Sequence, residues 1–286
     1  MPNAPYVLDM PTRRTSCVVF SSPHSGRNYP DALMNRTVLS RNVIRSSEDA
    51  FVDQLFSAAT AFGAPIISAT VPRAYLDLNR SADELDPALI QGARRSGHNP
   101  RVASGLGVIP RVVANGRAIY RGKLTMDEAS LRIDTCWRPY HARIKSLLAE
   151  SHEAFGQAIL VDCHSMPHEA VVMARNSHTK RPDVVLGDRF GASASSEVVD
   201  LIEAAFAAAG LSVARNAPFA GAYVTQTYGR PGRQQHAIQI EIDRALYMDE
   251  AKVEPNENFA AFQALLRDVI SEIAEIGCEP QRLAAE

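Results

Sequence analysis

Several stretches of this chain are apolar along nearly every residue and then end in side chains capable of chemistry. Cys17-Val18-Val19-Phe20 runs into Ser21-Ser22-Pro23-His24, and Ala158-Ile159-Leu160-Val161 runs into Asp162-Cys163-His164. Ala237-Ile238-Gln239-Ile240-Glu241-Ile242-Asp243 sets three isoleucines on one face and Gln239 and Glu241 on the other. Strands without a wet face belong to a sheet that is covered on both sides. The rest of the pattern agrees. Short β-branched runs at 16–22, 65–71, 158–164, 170–174, 184–187, 222–225 and 237–243 alternate with longer helical periodicities. That alternation predicts an α/β fold, a mixed sheet with helices on both faces. No repeat and no Pro/Gly/Ser-rich linker divides the chain, so residues 1–286 read as one domain.

A helix is expected over 48–62. Ser46 would cap it with Asp49 three residues on, Phe51, Leu55, Ala58, Ala59 and Phe62 would line one face, and Gly63 would end it. Thr125-Met126-Asp127-Glu128 is a capping box that opens a helix obliged to kink or restart at Pro139. Residues 195–209 and 256–276 read as two further helices. Between 82 and 122 the chain is rich in Gly, Arg and Asn and lacks periodicity, as functional loops do.

Composition narrows the function classes. Thirty Lys plus Arg against 32 Asp plus Glu leave a net charge of −2, so no global field holds nucleic acid or an acidic membrane, and anion binding must be local. The longest apolar stretch, 204–214, falls short of the ~18 residues a membrane span needs. No basic region followed by an apolar one opens the chain, and Cys17, Cys136, Cys163 and Cys278 form no CxxC pair. The expectation is a reduced, cytoplasmic protein without a disulfide framework. Oligomeric state is not legible in the sequence.

His24 and His164 each stand at the carboxyl end of a predicted strand, where open α/β sheets place their ligands. Two such histidines can converge on one borderline-soft metal, and neutral imidazole suits zinc. Asp162, two residues before His164 on the same strand face, is either a ligand or the carboxylate that fixes the imidazole tautomer. Cys163 faces the opposite way and reads as core. A third ligand would be a carboxylate. Glu48 and Asp49 are the best pair, although acids in a first helical turn also serve as caps. Glu241 reads as a buried carboxylate whose pKa is raised, as a general base requires, unless its strand is an edge with a wet face. Arg73 and Arg80 flank Asn79, and Arg111 adds a cation in the long loop. Arginine suits bidentate carboxylate binding, while surface ion pairing is the plainer reading of each alone.

Taken together, the segments SSPHSGRNYP (21–30), SEDAFVDQLF (47–56), PRAYLDLNR (72–80), GVIPR (107–111), DCHSMP (162–167), VVLGDRFG (184–191), GAYVTQTYGRP (221–231) and QIEIDRALYMDE (239–250) resemble the N-formylglutamate amidohydrolase family. That family is in turn similar to zinc carboxypeptidases and aspartoacylases. The resemblance implies one Zn²⁺ per chain on His24, Asp49 and His164, with Glu241 and Arg73 catalytic and Asn79, Arg80 and Arg111 binding substrate. Asp49 rather than Glu48 is chosen from the likeness of SEDAFVD to the family segment. One departure stands out: the wider superfamily takes its carboxylate ligand three residues after the first histidine, and here that position is Arg27.

The activity so implied is hydrolysis of an N-acyl amino acid, N-formyl-L-glutamate foremost, to formate and L-glutamate. The only partner expected is that small substrate. A sister hydrolase of another N-acyl amino acid and a non-catalytic anion-binding protein are the alternatives, and metal content separates the second from either enzyme.

Overall fold

The computed structural model describes residues 4–94, 99–173 and 181–277. Seven strands form one mixed sheet: β1 (Tyr6–Asp9), β2 (Val18–Ser22), β3 (Ile66–Ala69), β4 (Ala158–Met166), β5 (Val184–Gly187), β6 (Val213–Arg215) and β7 (Gln235–Asp243). Their order is β1-β3-β2-β4-β7-β5-β6. β3, β2, β4 and β7 are mutually parallel, whereas β1 runs against β3 and β5 against β7. The expected mixed α/β sheet is therefore present, and β7 is interior, with no wet edge.

Side-chain alternation sorts each central strand between two cores. Val18, Phe20, Val161, Cys163, Ile238, Ile240 and Ile242 pack on one face with the helices Ser196–Ala208 and Phe259–Glu275. Val19, Leu160 and Ala237 pack on the other with Tyr140, Ile144 and Leu147 of the helix Arg138–Phe155. Toward the carboxyl ends of the strands this second face turns polar, with Ser21, Asp162, His164, Gln239 and Glu241 all buried. Cys163 lies in the first core, as its strand parity requires.

The capping box at Thr125 is formed: its hydroxyl accepts from Glu128 N, and the Glu128 side chain returns to the Thr125 backbone. The helix Met126–Arg132 passes through a π-turn at Ile133–Trp137 before Arg138–Phe155 begins. Pro139 has no N–H to give and crowds the preceding turn, so the register shifts there. The helices at 195–209 and 256–276 are present within a few residues.

Other expectations fail for tertiary reasons. No helix spans 48–62. Phe51 is left-handed (φ 67°), and only Val52–Leu55 and the 3₁₀ turn Ser57–Phe62 are helical before Gly63 ends the segment. Ser46 caps nothing, since its hydroxyl donates to Val43 O. Residues 168–173 form a helix, not a strand, and 174 lies outside the described residues. The run 222–225 opens the helix Tyr223–Tyr228, anchored where Val224 N donates to the Asn79 side chain at 2.8 Å. Cys278 also lies outside the described residues. No helix among those described is long and apolar enough to cross a membrane.

Gly26 shows how tightly the His24 turn is held. A Cβ there would lie 2.0 Å from Val71 O, a main-chain atom that cannot swing aside. Gly26→Ala should cost ~1–3 kcal/mol by overpacking. The melting midpoint should fall by roughly 3–10 °C, at a few degrees per kcal/mol for a chain of this size. Calorimetry checks this; an unchanged midpoint would mean that the turn yields freely.

Candidate metal centre and active site

The polar face is a meeting point for separate segments. β2 delivers His24 through the turn at 23–24 that follows the strand. β4 presents His164 directly, and β7 sets Glu241 opposite it in register. Asp49 arrives from the irregular segment before Val52, tied to the first turn by its own N–H donating to His24 O at 3.0 Å.

Asp49 Oδ2 lies 3.3 Å from His24 Nδ1 and 2.9 Å from His164 Nδ1. The ligand atoms offered by these three buried residues all lie within 4.8 Å of one another. The far ring nitrogens are held by other carboxylates: His24 Nε2 is 2.7 Å from Asp77 Oδ1, and His164 Nε2 is 2.9 Å from Asp162 Oδ2. Each Nε2–H donating outward leaves an Nδ1 lone pair aimed at Asp49, which is the tautomer a metal ligand needs. Three electron-pair donors then face one another, and only a cation or protons can hold them there. The donor set fits a divalent ion.

The electrostatics of the protein groups agree. Burial alone would raise the Asp49 pKa, but hydrogen bonds from His164 and His24 and their charge hold it well below the usual carboxylate range. Burial alone would lower His164; the Asp162 charge outweighs it and leaves the imidazole well above its ordinary value. Burial also pushes Glu241 up to about 7, against the lowering pull of His164, while the Asp49 charge adds to the rise.

Glu48 is turned away from this centre. It accepts from Tyr29 Oη at 2.6 Å and from Arg45 Nε at 3.0 Å. Arg73 reaches the centre, 2.9 Å from Asp77 Oδ2 and 3.9 Å from Asp49 Oδ1. Arg80 is buried; its Nε donates to Leu106 O and one Nη to Asn79 O. No carboxylate among the described residues makes an ion pair with it, an unusual state for a desolvated guanidinium. Asn79 is present, but its amide is occupied: Oδ1 accepts from Val224 N, and Nδ2 faces His164 Nε2 at 3.1 Å, with Asp162 and Gln239 at 3.4 Å. Arg111 is not brought in. It pairs with Asp86 at 2.9 Å, while its neighbours Pro110 and Val112 line the cavity.

These residues open on a cavity of about 670 Å³. Its walls include much of the long loop expected from 82–122, and among that loop's described cations Arg101 lines it. Asp77 and Arg244 were also not singled out from the sequence. Asp77 sits inside the PRAYLDLNR segment, two residues before Asn79. Arg244 donates from Nη2 to Asp49 Oδ1 at 3.0 Å, and nothing in the spacing of 49 and 244 could have paired them.

A sequence profile of the N-formylglutamate amidohydrolase family matches residues 16–248. The chain belongs to that family. An N-formylglutamate deformylase of Pseudomonas aeruginosa is 31% identical over 261 residues, covering 90% of this chain and 91% of that one. The Pseudomonas putida deformylase is 29% identical over 238 residues, covering 82% and 83%. The crystal structure of N-formylglutamate amidohydrolase from Ralstonia eutropha JMP134 superimposes with a TM-score of 0.89 at 36% identity, over 96% of this chain and 98% of that one. Membership makes this chain a hydrolase of amide bonds.

The geometry predicts one equivalent of a divalent cation per chain. His24→Ala, His164→Ala and Asp49→Ala should lose it in elemental analysis, whereas Glu48→Ala should keep it. Asp77→Asn should weaken metal affinity by roughly 10- to 100-fold, the usual cost of losing a carboxylate behind a ligating histidine. Metal retained in Asp49→Ala and lost in Glu48→Ala would reverse the assignment.

Proposed function

We propose that this chain is a zinc-dependent amidohydrolase that cleaves N-formyl-L-glutamate to formate and L-glutamate. One juxtaposition carries the reading: a buried His24–Asp49–His164 donor set shares a cavity with the raised carboxyl of Glu241 and the unpaired guanidinium of Arg80. Zinc held by the three donors would polarise the acyl carbonyl and acidify a water.

The chain's own residues do the rest. Glu241 takes a proton from the attacking water and returns it to the leaving nitrogen. Arg73 faces the oxyanion that develops on the formyl oxygen, a contribution on the order of 3 kcal/mol per donor. Arg80 takes the α-carboxylate; Asn79 stands behind it, its main-chain oxygen receiving the Arg80 Nη1 hydrogen bond. Arg101, which lines the cavity wall, takes the side-chain carboxylate. A second reading, hydrolysis of an N-acyl amino acid with a longer acyl group, draws on the wall of Leu106, Pro110, Val112 and Val113, which a formyl group does not need.

A screen of N-acyl amino acids for released amine, with and without chelator, separates these readings. N-formylglutamate should lead, and chelator should abolish turnover; a longer acyl group in the lead would install the second reading. Glu241→Gln should keep its metal and lose roughly 10²- to 10⁴-fold in kcat. A base must be ionised to accept a proton, so kcat/KM should fall on acidification through the Glu241 pKa. The protein groups by themselves put that pKa at about 7, and positive charge placed beside it lowers it. Arg80→Ala should cost roughly 30- to 5000-fold in kcat/KM on N-formylglutamate, and much less on a formylated amine without the carboxylate. Equal losses on both substrates would give Arg80 a purely structural role.

A further inference from the structure

Gln239 is a buried amide on β7 that neither ligates the donor set nor pairs with an arginine. Its neighbours explain why a polar side chain is kept there. Val224 N, at the start of the helix Tyr223–Tyr228, can only donate, and it does so to Asn79 Oδ1 at 2.8 Å. That bond decides which way the Asn79 amide faces. Its Nδ2 is left 3.4 Å from Gln239 Oε1 and 3.4 Å from Asp162 Oδ2, both acceptors, and 3.1 Å from His164 Nε2, which is itself 2.9 Å from Asp162 Oδ2. With its oxygen turned to Asn79, Gln239 brings Nε2 to 2.9 Å from Glu241 Oε1. Turning either amide over would set oxygen against oxygen or N–H against N–H at both of its ends, which a buried site penalises heavily. One backbone N–H thus fixes the sense of the chain Val224–Asn79–Gln239–Glu241.

The strand geometry makes the last link rigid. Gln239 and Glu241 are two residues apart on one face of an interior strand, held between β4 and β5. We propose that Gln239 is the positioning residue of the general base: it engages Glu241 Oε1 and leaves Oε2 as the oxygen that takes the proton. The proposal rests on the reading of Glu241 as that base. It also gives a use to the Gly221–Tyr228 segment, whose first residues line the cavity while Val224 orients the base from behind.

The test uses metal-loaded protein and N-formylglutamate. Gln239→Met should lower kcat by roughly 10- to 100-fold, the scale of a reacting group misplaced by about an ångström. KM should stay within ~3-fold and metal content unchanged, since uniform binding is untouched. In a Glu241→Gln background the same substitution should cost less than ~2-fold, because a residue acting through another has nothing left to position. Equal losses in both backgrounds, with Glu241→Gln itself crippled, would overturn the relay and leave the base in place. Near-normal turnover in Glu241→Gln alone would overturn the base and the relay with it. Gln239→Glu keeps the side-chain shape and carries the same comparison should the Met variant not fold. It sets an oxygen against Glu241 Oε1, so a comparable or larger loss of kcat is expected, and full activity would refute the proposal.

Discussion

A carboxylate oxygen placed between two imidazole nitrogens in a dry interior is the interaction around which this molecule is arranged. Asp49 is 1% exposed, and an isolated charge there would cost several kcal/mol. It persists because every side is answered. His24 and His164 face Oδ2, while Arg244 donates to Oδ1 and Arg73 stands 3.9 Å from it. Asp77 and Asp162 in turn hold the outer nitrogens of the histidines. Asp49 Oδ2 is turned toward two imidazole nitrogens at once, where a bound cation would also be held, so stability and metal binding are two aspects of one arrangement.

That demand reshapes the local chain. The 48–62 stretch has helical periodicity, yet Asp49 is drawn to the sheet by bonds from three elements, and Phe51 takes a left-handed conformation before helix resumes. Tertiary contacts to one charged residue outweigh propensities worth tenths of a kcal/mol per position. The run 222–225 is likewise β-like in composition but is recruited as a helix start, because its Val224 N–H is required by a buried amide.

The sheet supplies the rigidity the centre needs. β2, β4 and β7 are parallel, so their carboxyl ends share one edge, and register sets His164 beside Glu241. Period-two alternation then separates Cys163, packed in an apolar core, from His164 one residue later. A slip of one residue would exchange them.

Much of this was legible in the sequence. The central strands, the strand-end histidines, the buried Glu241, the Thr125 capping box and the break at Pro139 follow from rules that act within a few residues: alternation, capping and the missing proline N–H. The family segments extended that reading to Asp49. What only the tertiary structure decided is pairing at a distance. Arg244 meets Asp49 across 195 positions, Asp77 backs His24, and Asn79 is spent on Val224 and Gln239. Arg101, not Arg111, lines the cavity, because Arg111 is held by Asp86. A guanidinium carries no local mark of whether it will meet a substrate or a neighbouring carboxylate. Its partner is chosen by where the chain folds back in space, and hydrogen bonds and charge act on that separation alone.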